Sequence, residues 1–123
     1  MQARHLAVGL SAGRIAIGVV SLLAPGLVGR AMMGPVGDSG ARRVALRVVG
    51  ARDVALGMGV LAALDRGTPV RARLRASAVA DGLDAVGSLL ARRHLRPAVA
   101  PASAAAATSG ALLSGWLAGQ LDG

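Results

Sequence analysis

The chain has 123 residues, enough for one domain, and 54% of them are hydrophobic while only 16% are charged. Soluble domains average about 45–50% apolar and about 25% charged residues, so this balance favours a protein that meets lipid. The net charge is +8, but the chain has a single aromatic residue, Trp116, and no cysteine. The lack of stacking aromatics counts against a nucleic-acid binder, and the lack of cysteine excludes disulfides and thiolate chemistry.

Four apolar stretches follow one another, and each has a length suited to a membrane span. They cover residues 6–28, 44–64, 74–91 and 98–121. A helix needs about 20 residues to cross a bilayer, within a range of about 17–25. The segments between them are short and rich in Gly, Pro and Arg, which favours antiparallel neighbours. We therefore predict an all-α protein, an integral-membrane four-helix up-down bundle that forms one transmembrane domain over residues 1–123.

A soluble, Ala-rich helical bundle is the rival architecture. Charges inside the second and third stretches cost about 2.5–3.5 kcal/mol each on membrane-insertion scales. A soluble bundle would have to bury two stretches that are apolar nearly all round, and a 12.1 kDa chain has little interior for them. The first stretch is long and carries Arg14 inside, which argues against a cleaved signal peptide. Flanking Arg residues number five on one side and six on the other, so they do not fix the orientation.

Five charged residues fall near the middle of these stretches: Arg14, Arg52, Asp53, Asp81 and Asp84. An unpaired charge in hydrocarbon is costly, so we expect each one to turn inward and find a partner. We expect Arg14 to reach Asp81 or Asp84. Arg52 lies about 100° around its helix from Asp53 and is expected to reach a neighbouring helix. Pairing both Arg residues would leave one carboxylate over, available to gain or lose a proton.

Small or polar residues share a helix face with these charges. Ser77, Asp81, Asp84 and Ser88 follow steps of four, three and four residues. The other three stretches have similar stripes: Ala7, Ser11, Arg14, Gly18, Ser21 and Pro25; Gly50, Asp53 and Gly57; Ser103, Ala107, Gly110 and Ser114. Gly9-x-x-x-Gly13 and Gly115-x-x-x-Gly119 match the motif for close helix packing, which we expect within the bundle rather than in a dimer.

Other motifs carry little chemistry. His5 and His94 fall at the edges of the stretches, and without Cys or Glu nearby we expect no metal site and no cofactor. Asp81-Gly82-Leu83-Asp84 has the Asp-x-x-Asp spacing of membrane prenyl and phospholipid transferases, but the further Asp motifs that hold metal and diphosphate are missing.

Several motifs resemble those of small bacterial four-helix membrane proteins that are distantly DoxX-like. Gly13-Arg14 with Gly18 and Leu22-Leu23-x-Pro25 is similar to their first helix, and Gly50-Ala51-Arg52-Asp53 with Leu56-Gly57-x-Gly59 to their second. Asp81-x-x-Asp84 is similar to their third. The resemblance covers roughly Arg14 to Arg92 and leaves the fourth stretch unmarked. It implies a four-helix membrane fold and no particular reaction.

The leading functional hypothesis is an accessory or interaction subunit, multi-pass in a bacterial plasma (inner) membrane. Its expected partners are membrane lipids and another membrane protein or further copies of itself, with no nucleic acid. One alternative is a small membrane enzyme or lipophilic-ligand binder, in which Arg14 holds an anionic or carbonyl group and Asp81 or Asp84 moves a proton. A second alternative is a proton-coupled transporter that dimerises to enclose a path.

Overall fold

The computed structural model describes residues 2–37 and 39–121, which are almost entirely helical. Five α-helices follow in order: α1 Gln2–Leu23, α2 Pro25–Met33, α3 Gly40–Asp65, α4 Arg71–Leu90 and α5 Val99–Leu121. Short 3-10 turns occupy Gly34–Gly37 and Arg92–His94. No strand occurs within these described ranges. The prediction of an all-α chain is confirmed.

The first predicted span, residues 6–28, is not one helix, and that part of the prediction is wrong. Ala24 leaves the helical region, with φ −132° and ψ 56°, and Pro25 then begins α2. Proline lacks an N–H and its ring clashes with the preceding turn, so it is tolerated in the first turn of a helix but not in the interior. The sequence interpretation counted Pro25 in a stripe of small residues and overlooked this break.

Two of the other helices begin earlier than the apolar stretches predicted. α3 begins at Gly40 rather than residue 44, because the Ser39 hydroxyl accepts a hydrogen bond from the Arg42 N–H at 3.3 Å. α4 begins at Arg71 rather than residue 74. Arg is a good helix former, so the helices continue through basic residues at which the apolar pattern stops.

The long helices form two antiparallel pairs. α1 packs mainly against α3, which we call the first pair, and α4 packs mainly against α5, which we call the second pair. Ser11 approaches Gly57, whereas Gly18, further along α1, approaches Gly50, which lies earlier in α3. The two helices of this first pair therefore run in opposite directions.

Glycine allows the helices of the first pair to touch through their backbones. A Cβ added at Gly18 would lie 2.6 Å from the carbonyl oxygen of Gly50, and one added at Gly57 would lie 2.8 Å from that of Ser11. Such close approach is what small residues permit between helices. The predicted inward stripe of α1 is confirmed, since Ala7, Ser11, Gly18 and Ser21 are all buried.

The two glycine motifs predicted to pack inside the bundle do not do so. A Cβ added at any of the four positions would meet no atom of another helix within 4 Å, and all four residues are exposed: Gly9, Gly13, Gly115 and Gly119. Their spacing matches the packing motif, but they lie on the outer faces of α1 and α5. In a chain with eighteen glycines, burial decides which of them act in packing.

An apolar cluster fills one end of the molecule, where α1 begins, α3 ends, α4 begins and α5 ends. Its buried members come from every long helix and from the α3–α4 loop: Ala7, Val60, Ala63, Leu64, Val70, Leu74, Leu117 and Ala118. Loop residue Gly67 has φ +63°, a conformation that favours glycine. The interior of this end is an ordinary hydrophobic core, and the ion pairs between the helices lie further along the bundle.

Among the described helices, α1 alone is both long and apolar enough to cross a membrane by length and composition. α3 and α4 carry charges along their length, and α5 is uncharged but rich in Ala, Gly and Ser. One such helix is weak support for a membrane protein, because a core helix or a signal sequence has the same properties.

We predict that Gly18→Ala destabilises the fold whereas Gly13→Ala does not. The new methyl at residue 18 would collide with the Gly50 carbonyl, and overpacking of this kind costs about 1–3 kcal/mol. At Gly13 the methyl enters open space, and Ala in a helix is favoured over Gly by about 0.5–1 kcal/mol. Thermal unfolding followed by helical circular dichroism measures both. Equal melting temperatures for the two variants would contradict the close α1–α3 contact.

Candidate functional site

Arg14 joins the two helix pairs. Its guanidinium donates from Nη1 to Oδ1 of Asp53 in α3 at 3.1 Å and from Nη2 to Oδ2 of Asp81 in α4. Asp81 is one of the two partners that the sequence predicted for it. A single side chain of α1 therefore links its own pair to the other one through two charge-assisted hydrogen bonds.

Arg52 makes a second link between the pairs. Its Nη1 and Nη2 donate to the two carboxylate oxygens of Asp84 at 3.0 and 2.6 Å, a bidentate geometry. Nη2 also donates to Oδ1 of Asp53 at 3.1 Å. Arg52 does reach a neighbouring helix, as expected, but it also contacts the residue next to it. The Cα–Cβ bonds of residues 52 and 53 point in different directions, but the Arg side chain is long enough to bend back to the Asp53 carboxylate.

Five residues thus form one ion-pair layer, which we define as Arg14, Arg52, Asp53, Asp81 and Asp84. Oδ1 of Asp53 accepts from both guanidiniums and connects the two links. The expectation of one carboxylate without a partner is wrong, because Asp53 is shared and Asp84 holds Arg52 through both oxygens. Three carboxylates are satisfied by two guanidiniums.

The layer has an enclosed half and an open half. The side chains of Arg14, Asp53 and Asp81 are 9%, 13% and 10% exposed. Those of Arg52 and Asp84 are 33% and 39% exposed. The difference follows from position, since Arg14 and Asp81 point into the bundle while Arg52 and Asp84 bridge the outer edges of α3 and α4.

Gly110 of α5 makes room for Asp81. A Cβ added at residue 110 would lie 2.7 Å from Oδ2 of Asp81. α5 therefore takes part in the layer by lacking a side chain at this point. The sequence placed Gly110 on the inward stripe of the fourth stretch but gave no reason to associate it with a particular carboxylate.

The flanking serines lie beside the layer rather than in it. Ser77 is buried one turn before Asp81, and Ser88 is half-buried one turn after Asp84. Neither hydroxyl is hydrogen-bonded to a charged side chain of the layer among the described residues. In α5, Ser114 is fully buried and its Oγ has no hydrogen-bond partner within the part of the chain that is described.

Four further arginines bind the carbonyl ends of helices, a role that the sequence analysis missed. Arg4 donates to the Leu64 carbonyl at 3.0 Å, and Arg47 donates to that of Leu22 at 3.2 Å. The last carbonyls of a helix lack intrahelical partners and carry partial negative charge, so a cation there is stabilising. The remaining pairs join Arg71 to Ala118 and Arg92 to Leu89. For Arg4, Arg47 and Arg71 the reason is that antiparallel packing brings the start of one helix beside the end of its neighbour, which the predicted topology already implied. Arg92 instead follows the helix whose carbonyl it binds.

Among the described residues, no three His or Asp side chains are grouped so that they could hold a metal ion. Comparisons of the chain with protein-family models, with curated proteins and with solved structures found no match.

We predict that Arg14→Ala is strongly destabilising. It would leave Asp53 with one partner and Asp81 with none, and breaking a buried ion pair costs about 3–5 kcal/mol. The exposed Arg75 in α4 is the control, because Arg75→Ala removes the same charge from the surface and should change the free energy of unfolding by less than about 0.5 kcal/mol.

Thermal unfolding in mild detergent measures these variants. Adding Asp53→Asn and Asp81→Asn to Arg14→Ala should recover part of the loss, since a buried amide costs less than an unpaired carboxylate. If the Arg14→Ala protein had the same melting temperature as the Arg75→Ala control, Arg14 would not be what holds the helix pairs together.

Proposed function

We propose that this chain is a multi-pass membrane protein, an up-down bundle whose four long helices span a bacterial plasma membrane, and that it acts as an accessory or interaction subunit. The observation that carries the membrane location is the inverted distribution of polarity. Large apolar side chains lie outside, whereas Arg14, Asp53 and Asp81 lie inside. A water-soluble bundle has the opposite distribution, and extended exposed apolar patches mark contact with lipid or protein.

The outer face of α4 illustrates the inversion. Val79, Leu83, Val86 and Leu90 recur at steps of four, three and four residues, and they are 63%, 66%, 54% and 79% exposed. The opposite face of the same helix carries Ser77 and Asp81, both buried. By composition alone α4 is too polar to span a membrane. Its central charges are turned inward, however, where pairing lowers the free-energy cost of placing them in the membrane.

The four arginines that bind helix carbonyls suit the ends of a spanning bundle. Arg4 and Arg71 lie at the end where the apolar cluster is found, and Arg47 and Arg92 bind carbonyls at the opposite end. Long basic side chains at the ends of spans reach the headgroup region and meet anionic lipids there. A bacterial membrane is in keeping with the resemblance noted from Arg14 to Arg92.

The accessory role rests on what the layer does with its charges. Every carboxylate in it has a guanidinium partner, which suits a device that fixes helix positions better than one that moves protons. Exposed small-residue faces, such as Gly115 and Gly119 on α5, are available for close contact with another membrane helix.

Single cysteines test the membrane location, because the chain has none of its own. Leu83 is 66% exposed at the middle of α4, and Arg66 is exposed in the α3–α4 loop. In lysed membranes we expect a water-soluble maleimide to label Leu83→Cys at least about tenfold more slowly than Arg66→Cys, since thiolate formation is suppressed in apolar surroundings. In SDS the two rates should converge. Equal rates without SDS would indicate a water-exposed bundle and contradict the proposal.

The accessory role has its own test. Purification of the tagged full chain from native membranes in mild detergent, followed by mass spectrometry, should recover a stoichiometric membrane-protein partner. A matched preparation of the Arg14→Ala variant should recover less of that partner, because the helix pairs lose their fixed relation. Recovery of a specific lipid or small molecule with no protein partner would contradict an accessory role and favour a ligand site in the layer.

A further inference from the structure

A groove lies on the outside of the molecule between α3 and α4, beside the loop that connects them. Its volume is about 410 Å³, and its walls are mostly small residues. Ala55 and Gly59 line it from α3, and Ala72, Arg73 and Ala76 line it from α4. The Arg73 guanidinium lies over Gly59, with Nη1 3.4 Å from where a Cβ at that position would lie. The three alanines leave room for another helix to approach closely, but they do not by themselves say what approaches.

The open half of the ion-pair layer lies in the same seam between α3 and α4. Arg52 and Asp84 bridge these two helices and are 33% and 39% exposed. Since the inner side of the seam is closed by Arg14 and Asp81, the exposed atoms of Arg52 and Asp84 face outward. Three of the five N–H groups of Arg52 donate to Asp53 and Asp84, and its Nε–H, which is buried, has no partner among the described residues.

We infer that the α3–α4 face is where a second copy of this chain binds. The inference rests on the proposed membrane location, because an ion pair open to hydrocarbon is costly and one open to water is not. Arg52 and Asp84 place one positive and one negative group side by side. A two-fold axis through the seam sets Arg52 of each copy against Asp84 of the other, so the surface is complementary to itself.

The rival face for a second copy is formed by the exposed glycines of α1 and α5. This glycine face has the small residues, but it has no buried or half-buried charged side chain that would gain a partner when a second copy binds. The α3–α4 face has both features, a groove that permits close approach and a charged pair that lipid leaves partly unsatisfied. That combination favours the α3–α4 face.

Disulfide cross-linking in native membranes tests the inference, using the full chain with one added cysteine at a time. The groove positions are Ala55→Cys, Ala72→Cys and Ala76→Cys. The control is Gly115→Cys on α5, where an added side chain meets open space. After oxidation we expect a dimer band for at least one groove position and none for the control. In the best cross-linking background, Asp84→Asn should lower the yield about tenfold, the change produced by about 1.4 kcal/mol.

The outcomes separate the two proposals. Each variant is also extracted with alkaline carbonate, and release from the membrane would overturn the membrane location whatever the dimer yield. Retention without a dimer band at any groove position, or an equal band at Gly115→Cys, would overturn the second-copy interface alone. A groove product whose added mass differs from one 12.1 kDa chain would also overturn it and identify a different protein on that face.

Discussion

The arrangement of this molecule depends on one buried guanidinium, that of Arg14. Each helix pair is held internally by extensive packing, whereas the two pairs contact each other less extensively. Between them Arg14 contacts Asp53 on one side and Asp81 on the other. A buried charge that loses its partner is far more costly than a lost apolar contact, so only relative positions of the pairs that keep both contacts are favourable.

Glycine and charge act together in this layer. Gly18 and Gly50 bring α1 and α3 into backbone contact, which shortens the distance that the Arg14 side chain has to span to Asp53. Gly110 leaves space in α5 for the carboxylate of Asp81. A larger residue at these positions would move helices apart by more than a hydrogen bond tolerates. The small residues therefore set the geometry that the ion pairs require.

Local patterns predicted the helices and the inward charges but not the details that depend on three dimensions. Periodicity was sufficient to group Ser77 with Asp81 and to select Arg14 as a cross-bundle partner, because helix geometry fixes which residues share a face. It could not show that Asp53 serves two arginines, since that depends on how far a flexible side chain bends. Nor could periodicity show that Gly18 packs against another helix and Gly13 does not, because the difference depends on whether a helix lies opposite. The break at Pro25 was readable from its chemistry alone.

The division of the layer into two halves bears on why the chain carries five charges at this depth. Arg14, Asp53 and Asp81 already connect the two helix pairs and are nearly enclosed, so they suffice as a lock. Arg52 and Asp84 repeat the connection where a third of each side chain reaches the outer surface. In the proposed membrane location, polar atoms that face hydrocarbon lack hydrogen-bond partners, so a second lock for the fold alone would be better buried. The open half is therefore better explained by a contact outside this chain than by the stability of the bundle itself.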